Sequence, residues 1–327
     1  MYTKKQPVGG LKAGDRVDSI FVVKIKKGIS QYKGGLYYFT LLLTDSSGKT
    51  IYYKYWGDSN EAAVRGLYDA ISAGSVVFLQ GKMAEFQGKR EIHTNPPQET
   101  IKILQKDEYN PDDFIKPPKR NIDEMVAELH NYIKSVQNPE IKKILSRIFM
   151  EDREFLEKFK IQPGAIEIHH NWRGGLLQHT LEMAEYCELS KRIFKDLDRD
   201  LMIAGVLLHD IGKIEEIEVT SRIKGTRKGQ LKGHTAISYR IVANVMDKLN
   251  TSEDIRNKIL HIILSHLGKM EYGASKEPMF SEAVAVHYAD QLSSKITEMI
   301  ELIRLYREQT EDEFMYDKRK GHRIFLR

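Results

Sequence analysis

The apolar residues of this chain change period once, near residue 110, and that change limits the available folds more than any other feature. From Arg16 to about Leu104 they alternate in clusters broken by turn residues, the period of two that β-strands require. From Asn121 to about Gln309 the period is 3.6. Ile122, Met125, Val126, Leu129 and Ile133 share one helical face, and Leu176, Leu177, Leu181 and Ala184 share another. With 327 residues the chain is long enough for two domains. The expected class is therefore multidomain β + α, a β-rich half at 1–105 followed by an all-α half at 121–310. Residues 106–120, KDEYNPDDFIKPPKR, hold three prolines and read as a linker. Residues 311–327 read as a C-terminal tail.

In the first half the pattern predicts strands near 16–27, 36–44, 50–56, 75–83 and 89–94. Turns at Lys33-Gly34-Gly35, Asp45-Ser46-Ser47-Gly48 and Gln87-Gly88 join some of them. One helix is expected after the third strand. Asp58 and Glu61 have capping-box spacing there, and Val64, Leu67, Tyr68 and Ile71 recur at helical intervals. Three strands, a helix and two strands is the order of an OB-fold β-barrel. Strands two and three are dense in aromatics: Tyr37, Tyr38, Phe39, Tyr52, Tyr53, Tyr55 and Trp56. An OB-fold can stack bases on such strands, which makes Phe39, Tyr53, Trp56 and the hairpin residue Phe86 candidates for nucleic-acid contact. Their abundance is equally explained by the β-propensity of aromatic residues.

The net charge of +5 is unevenly placed: residues 1–110 hold 16 Lys/Arg against 11 Asp/Glu, and the remainder balances at 35 against 35. An excess confined to the β-rich third suits a module that meets a polyanion, as well as an ordinary solvated surface. The longest apolar run, Leu201 to Leu208, is far too short to cross a bilayer, so no membrane partner is expected. The first residues lack the apolar core and cleavage site of a secretory signal, and Cys187 has no partner thiol. Both point to a cytoplasmic chain and to Cys187 as a core residue without catalytic role.

Eight of the eleven histidines fall between His169 and His287, more than a helical bundle needs for packing. His209 and Asp210 follow an apolar helix and precede Ile211-Gly212-Lys213, so an imidazole and a carboxylate emerge together at a helix end. His179, His234, His266 and Asp290 stand on either side at intervals of about one helix and its loop. Bundles build metal sites from single ligands on several helices, so His179, His209, Asp210, His234, His266 and Asp290 form a candidate ligand set. A carboxylate can bridge two ions, and the length of the series favours two. Imidazole-rich ligation suits Mn, Co, Fe or Ni better than Mg.

The series H…HD…H…H…D resembles the HD-domain metal-dependent phosphohydrolases. The phrases HHNWRGGLLQHT, LLHDIGKIEE, GHTAIS, HIILSHLGKMEYG and HYADQLSSKI are similar to the YhaM-type 3′→5′ exoribonucleases, which join an N-terminal OB-fold to an HD domain. The resemblance spans roughly residues 12–300. It implies metal-dependent release of nucleoside monophosphates from the 3′ end of single-stranded RNA, or of single-stranded DNA. One departure is Leu267, which stands where the family has a second adjacent histidine, so the metal role passes to His266 alone. His261, about 140° round the same helix, is expected to point elsewhere.

Hydrolysis of a phosphodiester needs a nucleophile at neutral pH and a sink for charge on the phosphoryl oxygens, and divalent metals supply both. Asp210 is thus a catalytic candidate. Lys213 is a catalytic and substrate-binding candidate, a point charge within reach of a phosphate oxygen. His169, His170 and Arg173, before the Gly174-Gly175 turn, are candidate substrate contacts. The basic loop Arg222–Lys232 adds Arg227 and Lys228, which as readily form a solvated charge run. Two other functions stay open, a hydrolase of small nucleotides and a nucleic-acid-binding regulator with a vestigial metal site. Homo-oligomerisation is likewise open.

Overall fold

A computed structural model describes residues 1–327 except Lys33, Gln87 and Ile168, and leaves the side chain of Phe86 undescribed. The chain divides into two compact units, Met1–Lys116 with Val219–Ile223, and Pro117–Glu218 with Lys224–Arg327. No helix among the described residues is long and apolar enough to cross a membrane.

The first unit holds β1 (Arg16–Tyr32), β2 (Leu36–Thr44), β3 (Thr50–Trp56), α1 (Glu61–Ala70), β4 (Val76–Phe86), β5 (Lys89–Thr94) and β6 (Ile101–Leu104). β1 is long enough to pair twice. Its first half lies against β4, with Arg16 opposite Lys82 and Val22 opposite Val76, and its second half against β2. Irregularities between Val23 and Ile25 and between Lys27 and Ile29 shift its register, as bulges do where a strand bends from one sheet wall to the next. The ladder runs β1-β2-β3-β5-β4 and returns to β1, with β3 and β5 parallel, so the sheet closes into the OB-fold barrel. α1 starts two positions later than the capping box at Asp58 suggests. Asn60 is the cap, its side chain accepting from the Ala63 N–H.

Phe21, Phe39, Leu41, Leu43, Tyr53, Leu79 and Ile92 fill the barrel, with Val64 and Ile71 of the α1 region packed on them. The segment expected to be a linker is instead partly folded. Tyr109 and Phe114 are buried with Ile20, Val22, Val76 and Leu104, and residues Pro111–Phe114 form a 3-10 turn capped by Asn110. Prolines at 111, 117 and 118 prevent a strand or long helix without preventing aromatic side chains from docking.

The second unit comprises α2 (Ile122–Ser135), α3 (Pro139–Ser146), α4 (Arg153–Phe159), α5 (Gly175–Ile193), α6 (Arg199–Leu208), α7 (Lys213–Glu216), α8 (Arg227–Leu249), α9 (Glu253–Ser265) and α10 (Ser281–Arg307). β7 (Ile217–Val219) and β8 (Ile223–Gly225) pair as a short hairpin. Asn121, Asn138, Asp152, Asp198 and Thr226 cap their helices through side-chain oxygens. α6 is apolar all round because it is enclosed all round: α3, α5, α9 and α10 pack on it, and every residue from Leu201 to Leu208 is buried. Gly205 allows the closest approach, since a Cβ there would stand 2.7 Å from Ile262 Cγ2 and 3.2 Å from Val286 Cγ2. Cys187 lies in this core, and burial raises its thiol to about 12, in keeping with an inert residue.

Residues 311–327, expected as a tail, form a hairpin of β9 (Phe314–Asp317) and β10 (His322–Phe325). Ile324 and Leu326 bury against Leu302, flanked by Met299, Ile303 and Tyr306 of α10, and the Tyr306 hydroxyl donates to Asp317 at 2.5 Å.

Candidate metal centre

The end of α6 delivers the first two ligands. His209 continues the helix with φ −57° and ψ −40°, and its ring is completely buried. Asp210 follows and Gly212 turns the chain away, with no room for a side chain: a Cβ would lie 2.3 Å from the His234 carbonyl. α5 contributes His179, α8 His234, the end of α9 His266 and α10 Asp290. All six candidate ligands meet.

They meet as two sets that share one carboxylate. Ligand atoms of His179, His209 and Asp210 lie within 4.8 Å of one another, and so do those of Asp210, His234 and His266. Asp210 Oδ2 is 3.2 Å from His209 Nε2, while Oδ1 is 3.3 Å from His234 Nε2 and 3.7 Å from His266 Nε2. Asp290 joins the first set, its Oδ1 3.3 Å from His179 Nε2.

Each imidazole is held from behind at Nδ1. His209 and His266 donate from Nδ1 to the Val206 and Ile263 carbonyls at 2.8 Å, and His234 Nδ1 is 3.1 Å from a Glu216 oxygen. His179 Nδ1 lies 2.8 Å from Ser293 Oγ, whose hydroxyl donates to Glu182 at 2.7 Å, so the serine accepts from the ring. With the proton fixed at Nδ1, every Nε2 lone pair faces inward, the tautomer a metal ligand needs. Inward atoms are left over in both sets: His179 Nε2 and His209 Nε2 of the first, and Asp210 Oδ1, which faces the second, are buried without a hydrogen-bond partner. Orphaned buried acceptors on this scale are costly, and divalent cations bound at the two sets would satisfy them. The donor set fits a metal.

Electrostatics agree. Burial opposes ionisation of Asp210, but Lys213, His209 and His234 outweigh it and hold the carboxyl well below the usual range. Asp290 behaves alike, burial being overcome by His179, His209 and His266. Burial, aided by His209, lowers His266 to about 4 and keeps its lone pair available at neutral pH. His209 is raised: burial lowers it, but Asp210 and Asp290 face it and outweigh that cost.

A cavity of about 630 Å³ opens beside the centre, with His169, Lys213, Glu216 and His234 in its wall. Lys213 Nζ is tied to Asp210 Oδ2 and to the Gly164 carbonyl, both at 2.7 Å. His169 is lowered to about 3 by burial and by Lys213, so at neutral pH it is an uncharged hydrogen-bonding group.

The remaining expected contacts differ. His170 is fully buried and is not a cavity residue: its Nε2 lies 2.9 Å from Glu182 Oε2 and its backbone takes φ 53°. It stands behind His179 and supports the Glu182–Ser293 relay rather than touching substrate. Arg173, Arg227 and Lys228 do not line the cavity. Lys228 pairs with Glu215, and Lys224 with Glu218 at 3.0 Å. His261 points away as expected, accepting from the Met279 N–H at 3.1 Å.

In the barrel, Phe39 and Tyr53 are completely buried, because alternate residues of β2 and β3 point inward, and they have no ring face to offer a base. Phe86 lies outside the described side chains. Trp56 is on the outer face as expected, and the neighbours that join it there were not among the candidates. Tyr32, Tyr38 and His93 have ring centroids 4.8, 5.1 and 5.7 Å from it, and Lys54 Nζ lies 5.3 Å above its ring. Glu182, Ser293 and Glu216 escaped sequence reading as well.

Two solved structures resemble parts of this chain. The S. pombe Stn1–Ten1 complex aligns at 18% identity and TM-score 0.21, over 27% of this chain and 57% of that one. A Replication Protein A heterotrimer bound to ssDNA aligns at 18% identity and TM-score 0.26, over 38% and 29%. This chain thus spans only part of either, and likeness at that level carries no argument. Residues 176–295 match the family model of the HD domain, from the start of α5 to the middle of α10, and therefore contain all six clustered ligands; the helical unit carries an HD domain, the fold of metal-dependent phosphohydrolases.

Proposed function

We propose that this chain is a metal-dependent 3′→5′ exonuclease that removes nucleoside monophosphates from the 3′ end of single-stranded RNA or single-stranded DNA. The observation that carries the reading is Asp210, one buried carboxylate whose two oxygens face separate imidazole sets. His179, His209, Asp210 and Asp290 would hold one divalent ion, and Asp210, His234 and His266 a second, with Mn favoured over Mg by the nitrogen-rich ligation. Such ions supply a water-derived nucleophile at neutral pH and neutralise charge on the phosphoryl group.

The chain's own residues do the rest. Lys213, fixed by Asp210 and Gly164, presents its charge on the cavity wall where a phosphate oxygen would lie. Neutral His169 hydrogen-bonds without competing as a cation. The outer aromatic group of Trp56, Tyr38 and Tyr32 with Lys54 offers stacking and charge to an unpaired strand. The 3′→5′ direction rests on the resemblance of the five sequence phrases.

The test incubates the protein and Asp210→Ala with Mn and end-labelled single strands, linear and circular, beside free nucleotides. Expected are mononucleotides lost first from the 3′ end of the linear strand, an intact circle, and no turnover by a folded Asp210→Ala. Cutting of the circle would make the enzyme an endonuclease. Consumption of free nucleotides with intact strands would assign it to small-nucleotide hydrolysis.

A further inference from the structure

The outward side of α10 is apolar where a surface helix should be polar. Val284, Tyr288, Leu292, Ile296 and Ile300 are 39–62% exposed, while Ala283, Val286, Asp290 and Ser293 of the same helix face the bundle. A spacing of four makes the five exposed residues one continuous ridge. Alongside its N-terminal half the end of α5 leaves Leu189, Ile193 and Phe194 exposed, and the groove between the helices encloses about 650 Å³. The exposed area of these side chains equals about four complete ones, or roughly 800 Å² at about 200 Å² each. The largest patch on an ordinary monomer is about 300–600 Å². A stable interface takes about 800 Å² from each partner.

The order of residues along the ridge says which partner fits. The ridge is a palindrome about Leu292: Tyr288 and Ile296 stand four residues to either side, Val284 and Ile300 eight. A copy of α10 laid antiparallel about a two-fold axis through Leu292 sets Tyr288 opposite Ile296 on either side of the Leu292 pair, the self-complementarity an isologous contact demands, with Val284 and Ile300, turned about 80° to either side of Leu292, at the edges of the contact. Interdigitating ridges of this spacing cross at about −50°. Among the described residues Lys295 is the single exposed charge between Val284 and Ile300, and the axis places it opposite Ala289 rather than its own copy.

We propose that the chain is a two-fold homodimer in which α10 packs on α10 across Leu292 and each ridge enters the α5–α10 groove of the other copy. The ligand Asp290 and its neighbour Ser293 lie on the inner side of the helix, so the contact leaves the metal centre untouched.

Sedimentation velocity of the full chain over a wide concentration range tests this together with two variants. The wild type should sediment as a dimer. Leu292→Glu sets two carboxylates on the axis and should raise the dimer Kd by about a hundredfold, the scale of losing a central hot spot. Leu292→Cys should link to itself with a short bis-maleimide. The same change at Leu305, about 20 Å further along the helix, should not. Cys187 is buried and gives little background. If Leu292→Glu fails to fold by circular dichroism, the cysteine pair decides alone. A wild type that is monomeric throughout overturns the proposal, as does an assembly that survives Leu292→Glu without a link at position 292.

Discussion

Ser293→Ala isolates one half of the metal centre from the other. Ser293 Oγ accepts from His179 Nδ1 at 2.8 Å and donates its own O–H to Glu182 at 2.7 Å, with His179 fully buried. Without the hydroxyl the ring has two poor choices. A buried Nδ1–H left unpaired costs about 1–3 kcal/mol. Moving the proton to Nε2, 3.3 Å from Asp290, avoids that cost and turns the lone pair away from the metal. Either way the ion held by His179, His209 and Asp290 should weaken by about 10–100-fold, or roughly 1.4–2.7 kcal/mol. The other ion should hold its affinity, because His234 is set by Glu216 and His266 by the Ile263 carbonyl. Glu216→Gln should do the converse more mildly, near tenfold at most, since an amide oxygen still accepts. Calorimetric titration of Mn into metal-free protein counts the sites and reads both constants, with melting curves to confirm folding. Equal weakening of both ions by Ser293→Ala, or of neither, would refute the division into two sets.

Trp56→Ala should weaken capture of single-stranded RNA by about 1–3 kcal/mol per stacked base in a filter-binding assay, whereas Phe39→Leu should alter thermal stability and leave affinity alone. The salt dependence of the wild type should follow a slope of about 0.7 per phosphate contacted, and a flat response would remove the barrel from binding. Glu182 should appear in the acid limb of stability. Burial opposes its ionisation, yet His170, Ser293 and Gln178 hold it at about 2 against an ordinary 4.5. A depressed carboxyl contributes stability that is fully present above 4.5 and lost as pH falls toward 2, so urea melts of Glu182→Gln should show a flatter loss over that range. Gly205→Leu should destabilise by about 1–3 kcal/mol in the same melts, for want of space against Ile262 and Val286.

The barrel was legible because its strands are patterned on both sides, and the predicted spans 36–44, 50–56 and 89–94 coincide with β2, β3 and β5. What pattern does not carry is phase. Tyr52 and Tyr53, or Tyr38 and Phe39, differ in sequence by one step and in the fold by the whole thickness of the sheet. Which member faces in depends on register with β1, and β1 changes register twice. That is why Phe39 and Tyr53 went to the core while Tyr38 stayed outside with Trp56. β6 is four residues long and has too few alternations to register as a strand. Residues 106–120 and 311–327 misled for a related reason: composition reports the absence of regular structure well, but Tyr109, Phe114, Ile324 and Leu326 are single anchors that bury without any period.

The six candidate ligands stand out in the sequence because a metal site of this kind draws on His and Asp, and here they come singly from α5, α8, α9 and α10 and as a pair from the end of α6, so chemistry and spacing act together. The groups behind them obey neither constraint. Val206 and Ile263 serve His209 and His266 through carbonyls, which leave no trace in residue type at all. Ser293 and Glu182 serve His179 through residue types found on any helix surface, and they become special only when α5 and α10 pack side by side. His170 shows the same limit from the other direction. As one of two adjacent histidines it carries the chemical signal of a substrate contact, but its φ of 53° turns the ring inward to Glu182 while His169 remains on the cavity wall. Backbone conformation, which no residue type specifies here, therefore separates two neighbouring imidazoles into a group that can meet substrate and a group that steadies a ligand.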